Sequence, residues 1–298
     1  MRRFFYATNN EYVTNSDTEA NYPKLNTLSI GADIALTESI VHHWGRVLRA
    51  NVGDEGILFD GFGGEYHVKL QNIGKKNATV TLLSHTDEDR NAPIHTKIGL
   101  VMSRGDRMDY AIQKATELGV TGIQLLSSHH GEVNLKPAQV DKKLLHWQQV
   151  AIAASEQCGL NRPPLVFPPI SIDDWLQDLD TNDIDLHMIV SPIVSTLSQD
   201  PYYQILRQPA DLRMQLSVPA PDQPVMPESL PTVLTQASPY IELLIGPEGG
   251  LSDNERQQAA DVGFAPWQIG TRVLRTETAP VVALATLHAL HYLHQQKT

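Results

Sequence analysis

A glycine-rich stretch, LLIGPEGGLSDNE (243–255), combines a flexible backbone with a carboxylate in a pattern that could hold a small ligand. Residues 240–245 predict a buried strand, and Ser252 with Glu255 three positions later is a capping-box signature for a helix. The glycines between them let a ligand approach the backbone, although many strand-to-helix turns contain glycine for turn geometry alone. The stretch contains neither G-x-G-x-x-G nor G-K-S/T, so dinucleotide binding and P-loop phosphate binding are disfavoured.

A second polar loop, TRVLRTETA (271–279), follows a predicted short strand that ends near Ile269 and precedes a predicted helix. Thr276 or Thr278 can cap that helix, but the arginines and Glu277 have no equally simple structural explanation. Ligands of open α/β sheets bind where the parallel strands end. We therefore interpret this loop, together with the glycine-rich turn, as part of a ligand site.

Arg104 also follows a predicted strand directly and precedes a predicted helix, within SRGDRMDYAIQKATELG (103–119). It therefore belongs to the same edge of the predicted sheet. The alternative is purely structural: Asp106 or Ser103 caps the helix, while Arg104 and Arg107 face solvent.

Other polar residues carry no assigned chemistry. The stretch AASEQCGLNR ends a predicted long helix and leaves three polar residues near that end: Gln157, Asn161 and Arg162. Three histidines share a predicted helical face: His288, His291 and His294. They lack an H-E-x-x-H pattern and an evident carboxylate ligand, so no metal site is predicted, and no G-x-S-x-G elbow indicates a serine hydrolase.

The first part of the chain, to about residue 85, is predicted to be mostly β. Short segments rich in β-branched and aromatic residues alternate with glycine-containing turns, and they predict strands at 56–60, 65–71 and 78–84. One helix interrupts them, with Thr37 as its N-cap and with Arg46 and Arg49 three positions apart on one face.

After a polar segment at 87–96, apolar strands alternate with helices, which predicts an α/β domain of about 200 residues. Predicted strands cover 95–103, 120–128, 185–191 and 240–246, and predicted helices cover 107–119, 137–159 and 279–294. The segment 192–239 contains nine of the nineteen prolines and little periodicity. We interpret it as a mostly irregular surface excursion with one short helix near PYYQILRQ.

The composition limits the classes of protein to which the chain can belong. The chain has 298 residues, 41% of them hydrophobic and 19% charged, and no apolar run long enough for a membrane helix. A single cysteine excludes an internal disulfide framework, and the first residues contain no secretory signal, so a cytoplasmic location is expected. The net charge of −11 does not exclude a nucleic-acid partner, because residues 151–230 carry eleven acidic and three basic side chains and hold most of the excess.

Five motifs in order resemble one family: HHWGRVLR, SRGDRMDYAIQKATELGV, AIAASEQCGLNR, LLIGPEGGLSDNE and IGTRVLRTETA. The chain resembles the bacterial ribosomal RNA small subunit methyltransferase E family, which methylates N3 of a uridine in 16S rRNA and belongs to the SPOUT class. The resemblance implies an α/β fold: an RNA-binding PUA-like β-barrel at 1–88, then a SPOUT trefoil-knot domain at 89–298 with a proline-rich insertion at about 192–239. It also implies a homodimer, S-adenosylmethionine as cofactor and 16S rRNA of the small ribosomal subunit as partner, with no membrane and no metal.

The resemblance also implies roles for individual residues. The expected cofactor-binding residues are Leu244, Gly246, Pro247, Glu248, Gly249, Gly250, Ile269, Gly270, Leu274, Arg275, Thr276, Thr278 and Ala279. The expected RNA-binding residues are Arg46, Arg49 and Arg104. The expected catalytic residues are Arg104, Glu248 and Glu277, where one carboxylate could accept the N3 proton and the arginine could stabilise charge on the base.

Two features depart from the family pattern. His130 and Asn134 stand where relatives usually have an arginine and a lysine, which would weaken an RNA contact there or make it pH-dependent. The proline-rich segment is longer than the family's usual connection. Two alternative functions are a SPOUT ribose 2′-O-methyltransferase and a non-catalytic RNA-binding or ribosome-assembly factor.

Overall fold

The computed structural model describes residues 1–7, 22–181, 197–216 and 226–296. The predicted strand at 185–191 lies outside these ranges. The chain divides into two compact units. The N-terminal unit comprises Met1–Asn91, Ile152–Pro163 and Ser191–Leu197, and the α/β unit comprises Ala92–Ala151, Pro164–Val190 and Ser198–Thr298. None of the helices in the described ranges has the length and apolar character that crossing a bilayer requires.

The N-terminal unit is built on a five-stranded sheet. Its strands are β1 (Arg2–Phe5), β2 (Asp33–Ala35), β3 (Glu55–Phe59), β4 (Glu65–Ile73) and β5 (Ala78–Thr86), in the order β1-β3-β4-β5-β2. All pairs are antiparallel except β1 with β3. Alternate residues of β4 and β5 are buried, among them Val68, Leu70, Val80 and Leu82, which form the core of the unit. The predicted strands at 56–60, 65–71 and 78–84 correspond to β3, β4 and β5.

The predicted helix after Thr37 begins as expected but is distorted. The Thr37 hydroxyl accepts a hydrogen bond from the backbone of Ile40, so the N-cap prediction is confirmed. The α-helical part, α1, covers only Glu38–Ile40, and Val41–Val47 continues as a π-helix. The helix ends with a hydrogen bond from the Ala50 amide to the Trp44 carbonyl, and Arg49 has φ = 55°. The prediction that Arg46 and Arg49 share one helical face is therefore wrong, because Arg49 lies beyond the helix end.

Polar residues from the segment 152–163 stabilise the N-terminal unit. The fully buried Asn161 side chain donates to the carbonyls of Gly64 (3.3 Å) and Glu88 (2.7 Å), and it accepts from the Arg90 amide. Arg162 forms an ion pair with Asp89 at 2.7 Å. These contacts give Asn161 and Arg162 a structural role that the sequence pattern did not identify.

Among its described residues, the α/β unit contains a six-stranded sheet in which every pair is parallel. Its strands are β6 (His95–Val101), β7 (Gly122–Ser127), β8 (Leu165–Ser171), β9 (Leu212–Leu216), β10 (Tyr240–Ile245) and β11 (Phe264–Trp267), in the order β11-β9-β10-β6-β7-β8. Its helices are α2 (Asp106–Glu117), α3 (Pro137–Cys158, which continues into the N-terminal unit's segment), α4 (Ile172–Thr181), α5 (Pro201–Gln204), α6 (Leu230–Val233), α7 (Asp253–Asp261) and α8 (Ala279–Gln295). The long predicted helices correspond to α2, α3 and α8.

The interpretation of 192–239 as an irregular surface excursion is wrong at Leu212–Leu216. These residues form β9, which lies between β10 and β11, and Met214 is fully buried. The segment LRMQL contains an arginine and a glutamine, so it lacks the continuous apolar run that identifies most buried parallel strands. The short helix predicted near PYYQILRQ is present as α5 and a following 3-10 turn at Ile205–Arg207.

Charged residues are buried where three central strands meet. The register places Glu242 of β10 beside Lys97 of β6 and Arg213 of β9, and Glu242 is completely buried. Its carboxylate accepts from Arg213 Nε at 2.9 Å and from the Tyr240 hydroxyl at 2.9 Å. Burial lowers the pKa of Lys97, and the nearby Glu242 carboxylate partly offsets that shift. The cluster compensates charges that would otherwise be costly inside a protein.

We expect Glu242→Gln to lower the free energy of unfolding by about 3–5 kcal/mol, because it leaves buried cations without their counter-charge. Urea denaturation at neutral pH measures this change. The matched control is Glu117→Gln, which breaks the Lys114–Glu117 pair on α2 and should cost about 0.5 kcal/mol. Equal effects from the two variants would contradict a special role for the buried cluster.

Candidate functional site

The loops that follow β10 and β11 border a cavity of about 330 Å³ in the α/β unit. Because all six strands are parallel, their carboxyl ends lie at one edge of the sheet, and the last residues of β9 reach the same cavity. The lining residues are Gln215, Leu216, Ile245, Gly246, Pro247, Glu248, Gly250, Leu251, Arg256, Ile269, Arg272, Val273, Leu274, Thr276 and Ala279. The volume lies within the range of small-molecule sites, roughly 300–1,000 Å³.

The structure brings most of the sequence-predicted cofactor residues to this cavity. Those that line it are Gly246, Pro247, Glu248, Gly250, Ile269, Leu274, Thr276 and Ala279. Those outside the lining are Leu244, Gly249, Gly270, Arg275 and Thr278. Leu244 is fully buried in the core on the other side of β10 from Leu243 and Ile245. The two loops singled out by sequence therefore meet around one space.

Sequence reasoning missed several lining residues. Gln215 and Leu216 come from β9, the strand that the sequence pattern did not predict. Arg256 comes from α7, and its Nη1 donates to the carbonyl of Leu251 at 2.6 Å. Arg272 and Val273 lie in the loop that was recognised, but they were not among the predicted binding residues.

The glycine-rich turn packs against the loop after β7. A Cβ at Gly249 would lie 3.2 Å from the Cβ of His130, closer than most such contacts. The His130 Nδ1 lies 3.1 Å from the carbonyl oxygen of Gly250, whose φ of 73° favours glycine. Glycine at these two positions is therefore explained in part by packing against the neighbouring loop.

Glu255 ties the same two loops together. It completes the predicted capping box with Ser252, and the Ser252 amide donates to its Oε2 at 2.7 Å. The His129 amide donates to its Oε1 at 2.8 Å, so one carboxylate bridges the loop after β7 and the start of α7. Burial opposes ionisation of Glu255, but the hydrogen bonds from His129 and Ser252 outweigh it and leave its pKa lowered.

We expect Glu255→Ala to lower the free energy of unfolding by about 2–3 kcal/mol at pH 7, because the two part-buried amides of His129 and Ser252 lose a charged acceptor. The folded pKa of Glu255 is below its ordinary value of 4.5. The ionic part of its contribution is therefore complete above pH 4.5 and declines as the pH falls through the folded pKa. Urea unfolding at pH 7, 5 and 4 measures this trend. The exposed neighbour Asn254→Ala serves as the control, and an equal loss from both would refute the bridging role.

The two candidate catalytic carboxylates have different environments. Glu248 lines the cavity and forms an ion pair with Arg107, with Nη1 and Oε1 3.0 Å apart. The Glu277 side chain is 12% exposed, and its Oε1 lies 3.9 Å from Arg275 Nη1. Its Oε2 is buried with no hydrogen-bond partner among the described residues. Arg107 is exposed to solvent, as the structural alternative expects, and it also pairs with Glu248.

The predicted RNA-binding arginines are exposed. Arg104 lies between β6 and α2 in the α/β unit, with its Nε 3.4 Å from Glu132 Oε2. Its side chain is 70% exposed, so this ion pair leaves it accessible. Arg46 and Arg49 belong to the N-terminal unit, and both are exposed. Within the described ranges, no cluster of three or more His, Cys, Asp or Glu residues is arranged to hold a metal ion.

Comparison with known proteins defines the class. Residues 90–288 match the RNA methyltransferase domain family, and residues 36–83 match the RNA methyltransferase PUA domain. The chain belongs to the RNA methyltransferase family, with a PUA-like domain before an α/β domain of the SPOUT class.

Several similar proteins share one name. A Synechocystis protein named ribosomal RNA small subunit methyltransferase E is 31% identical over 261 residues, which are 88% of this chain and 74% of that protein. A Buchnera aphidicola protein of the same name is 27% identical over 255 residues, or 86% and 87% of the two chains. The crystal structure of the Neisseria gonorrhoeae protein of that name, described as bound to S-adenosyl methionine, is 29% identical, with a TM-score of 0.73 over 97% of this chain and 98% of that one.

Proposed function

We propose that this protein transfers a methyl group from S-adenosylmethionine to N3 of a specific uridine in 16S rRNA of the small ribosomal subunit. The observation that supports this most directly is the cavity between the loops after β10 and β11, in a chain that belongs to the RNA methyltransferase family. The names of the relatives support the rRNA of the small subunit as substrate. The uridine-N3 position comes from the motif resemblance.

The residues around the cavity suit S-adenosylmethionine. The backbone of Gly246 and Gly250 lies open at the wall, and aliphatic side chains border the same space. The lining also carries two basic side chains, Arg256 and Arg272, which suit the carboxylate of the methionine part of the cofactor. Phosphate binding would favour a lysine after the glycines, and the turn lacks one. We infer that Gly249, Gly270, Arg275, Thr278 and Leu244 support the loops from outside the lining.

The bound cofactor supplies a methyl group activated by a positively charged sulfur. The chain's own task is to position the uracil and to accept its N3 proton. Glu248 suits the role of acceptor because it lines the cavity while Arg107 orients its carboxylate. Glu277 is the alternative acceptor, in the loop after β11 and outside the cavity lining, with a buried Oε2 that has no hydrogen-bond partner among the described residues. Arg104 is accessible at the end of β6 and suits stabilisation of negative charge on the base.

We infer an RNA-binding domain at 1–88, with Arg46 and Arg49 contacting the RNA backbone, and a trefoil-knotted catalytic domain at 89–298. We also infer a homodimer, because methyltransferases of the SPOUT class are expected to associate as two identical subunits. A cytoplasmic location follows from an rRNA substrate in a bacterial ribosomal subunit.

The test of the function is methylation of small subunits purified from a strain that lacks the modification. With labelled S-adenosylmethionine, we expect one methyl group per subunit, and nucleoside mass spectrometry should identify 3-methyluridine in 16S rRNA. Naked 16S rRNA is the comparison substrate. A 2′-O-methylated nucleoside would instead support the ribose methyltransferase alternative, and absence of cofactor binding would refute the enzymatic function.

We expect Glu248→Gln to reduce the rate of methylation at saturating cofactor and RNA by about 10²-fold, in the range of general-base catalysis. Cofactor affinity should change much less, because the amide keeps the size of the side chain. Single-turnover assays and calorimetry measure the two quantities. Glu277→Gln is the matched comparison, and the larger rate loss identifies the acceptor. If both variants keep near-full turnover, neither carboxylate accepts the proton.

A further inference from the structure

Gln215 carries an amide at the cavity that the described residues of the protein leave unpaired. It is 8% exposed, it lines the cavity at the end of β9, and its side chain makes no hydrogen bond with any described residue. The other two buried glutamines in the described ranges differ. Gln124 donates to the carbonyl of Pro168 at 2.6 Å, and Gln148 donates to Pro164 and accepts from Val166. Unlike these two glutamines, Gln215 has an unpaired amide that stays accessible at the cavity, where a ligand can supply the partner.

The strand geometry directs this amide to the cavity. Side chains alternate along β9, so Gln215 shares a face with Arg213, while Leu212 and Met214 belong to the apolar core on the other face. Arg213 is neutralised by Glu242 within the protein. Gln215 lies two residues nearer the carboxyl end, opposite Leu244 and Pro266, and neither of these neighbours has a polar side chain.

We propose that Gln215 selects the adenine base of the cofactor by pairing with its N6 amino group and N7. This inference rests on the proposed function. A carboxamide presents one donor and one acceptor side by side, and a glutamine forms a bidentate pair with the N6 and N7 of adenine. The cavity also has aliphatic walls that suit the faces of a flat base: Leu216, Ile245, Ile269 and Leu274. Arg256 and Arg272 suit the negatively charged carboxylate of the cofactor, whereas the neutral amide of Gln215 matches the neutral base.

The test is calorimetric binding of two ligands that differ only at position 6 of the purine, S-adenosylhomocysteine and S-inosylhomocysteine. In the bidentate pair, the adenine amino group donates to the Gln215 oxygen and N7 accepts from the Gln215 nitrogen. The 6-oxo group of the inosyl ligand is an acceptor, so the first of these two hydrogen bonds is lost. We expect the wild-type chain to bind the adenosyl ligand roughly 10- to 100-fold more tightly than the inosyl ligand. In Gln215→Met, which keeps the length of the side chain, affinity for the adenosyl ligand should fall roughly tenfold and the preference should largely disappear.

Gln113→Met, at an exposed position on α2, is the matched control and should keep wild-type affinity and preference. Thermal unfolding establishes that each variant is folded. If Gln215→Met does not fold, absence of any preference in the wild-type chain would still overturn the inference. Equal weakening of both ligands in Gln215→Met would also overturn it, because Gln215 would then contact another part of the ligand. A wild-type chain that binds neither ligand overturns the proposed function, whereas binding that is unaffected by Gln215→Met overturns only this inference.

Discussion

The buried carboxylate of Glu242 constrains the central strands on which the site depends. It faces Arg213 and Lys97 across the neighbouring strands, and its two oxygens accept from Arg213 and Tyr240. A slip of one residue in β10 would turn Glu242 towards the apolar core formed by Leu243 and its neighbours, leaving charges unpaired on both faces. The parallel register of β6, β10 and β9 is therefore specified by electrostatics as well as by apolar packing. That register determines where the strands end.

The loops that border the cavity start where the strands end, so the register determines their positions. A second carboxylate, that of Glu255, then fixes the glycine-rich turn. Glu255 accepts from His129 and Ser252, and His130 contacts Gly250, so the glycine-rich turn is held against the loop after β7. The turn has little freedom of its own to adapt. The glycine-rich turn also contacts the loop after β11, because the Thr276 hydroxyl of that loop lies 3.4 Å from the carbonyl oxygen of Gly246. The cavity is thus bordered by loops that are joined by specific polar contacts.

Sequence predicted the parts of this arrangement that depend on local pattern. The continuous apolar run of β10, the Ser252–Glu255 capping box and the Thr37 cap all follow from local sequence. It did not predict β9, because Arg213 and Gln215 become acceptable in a buried strand only through Glu242 and the cavity. Similarly, the π-helical turn around Trp44 depends on hydrogen bonds and packing within its unit, which periodicity does not encode. The pairing of Arg107 with Glu248 joins residues 141 positions apart.

The polar groups at the cavity divide into those that the protein satisfies and those that it leaves free. Arg256 donates to Leu251, and Glu248 pairs with Arg107, so these side chains are oriented before any ligand binds. Gln215 has no hydrogen bond with any described residue. Hydrogen bonds within the protein position a group, whereas a free donor or acceptor at the wall of a cavity can give the site its selectivity. The strand that supplies Arg213 to the buried cluster thus also supplies Gln215 to the cavity. The register that stabilises the sheet therefore also determines which hydrogen-bonding groups of a ligand Gln215 can pair with.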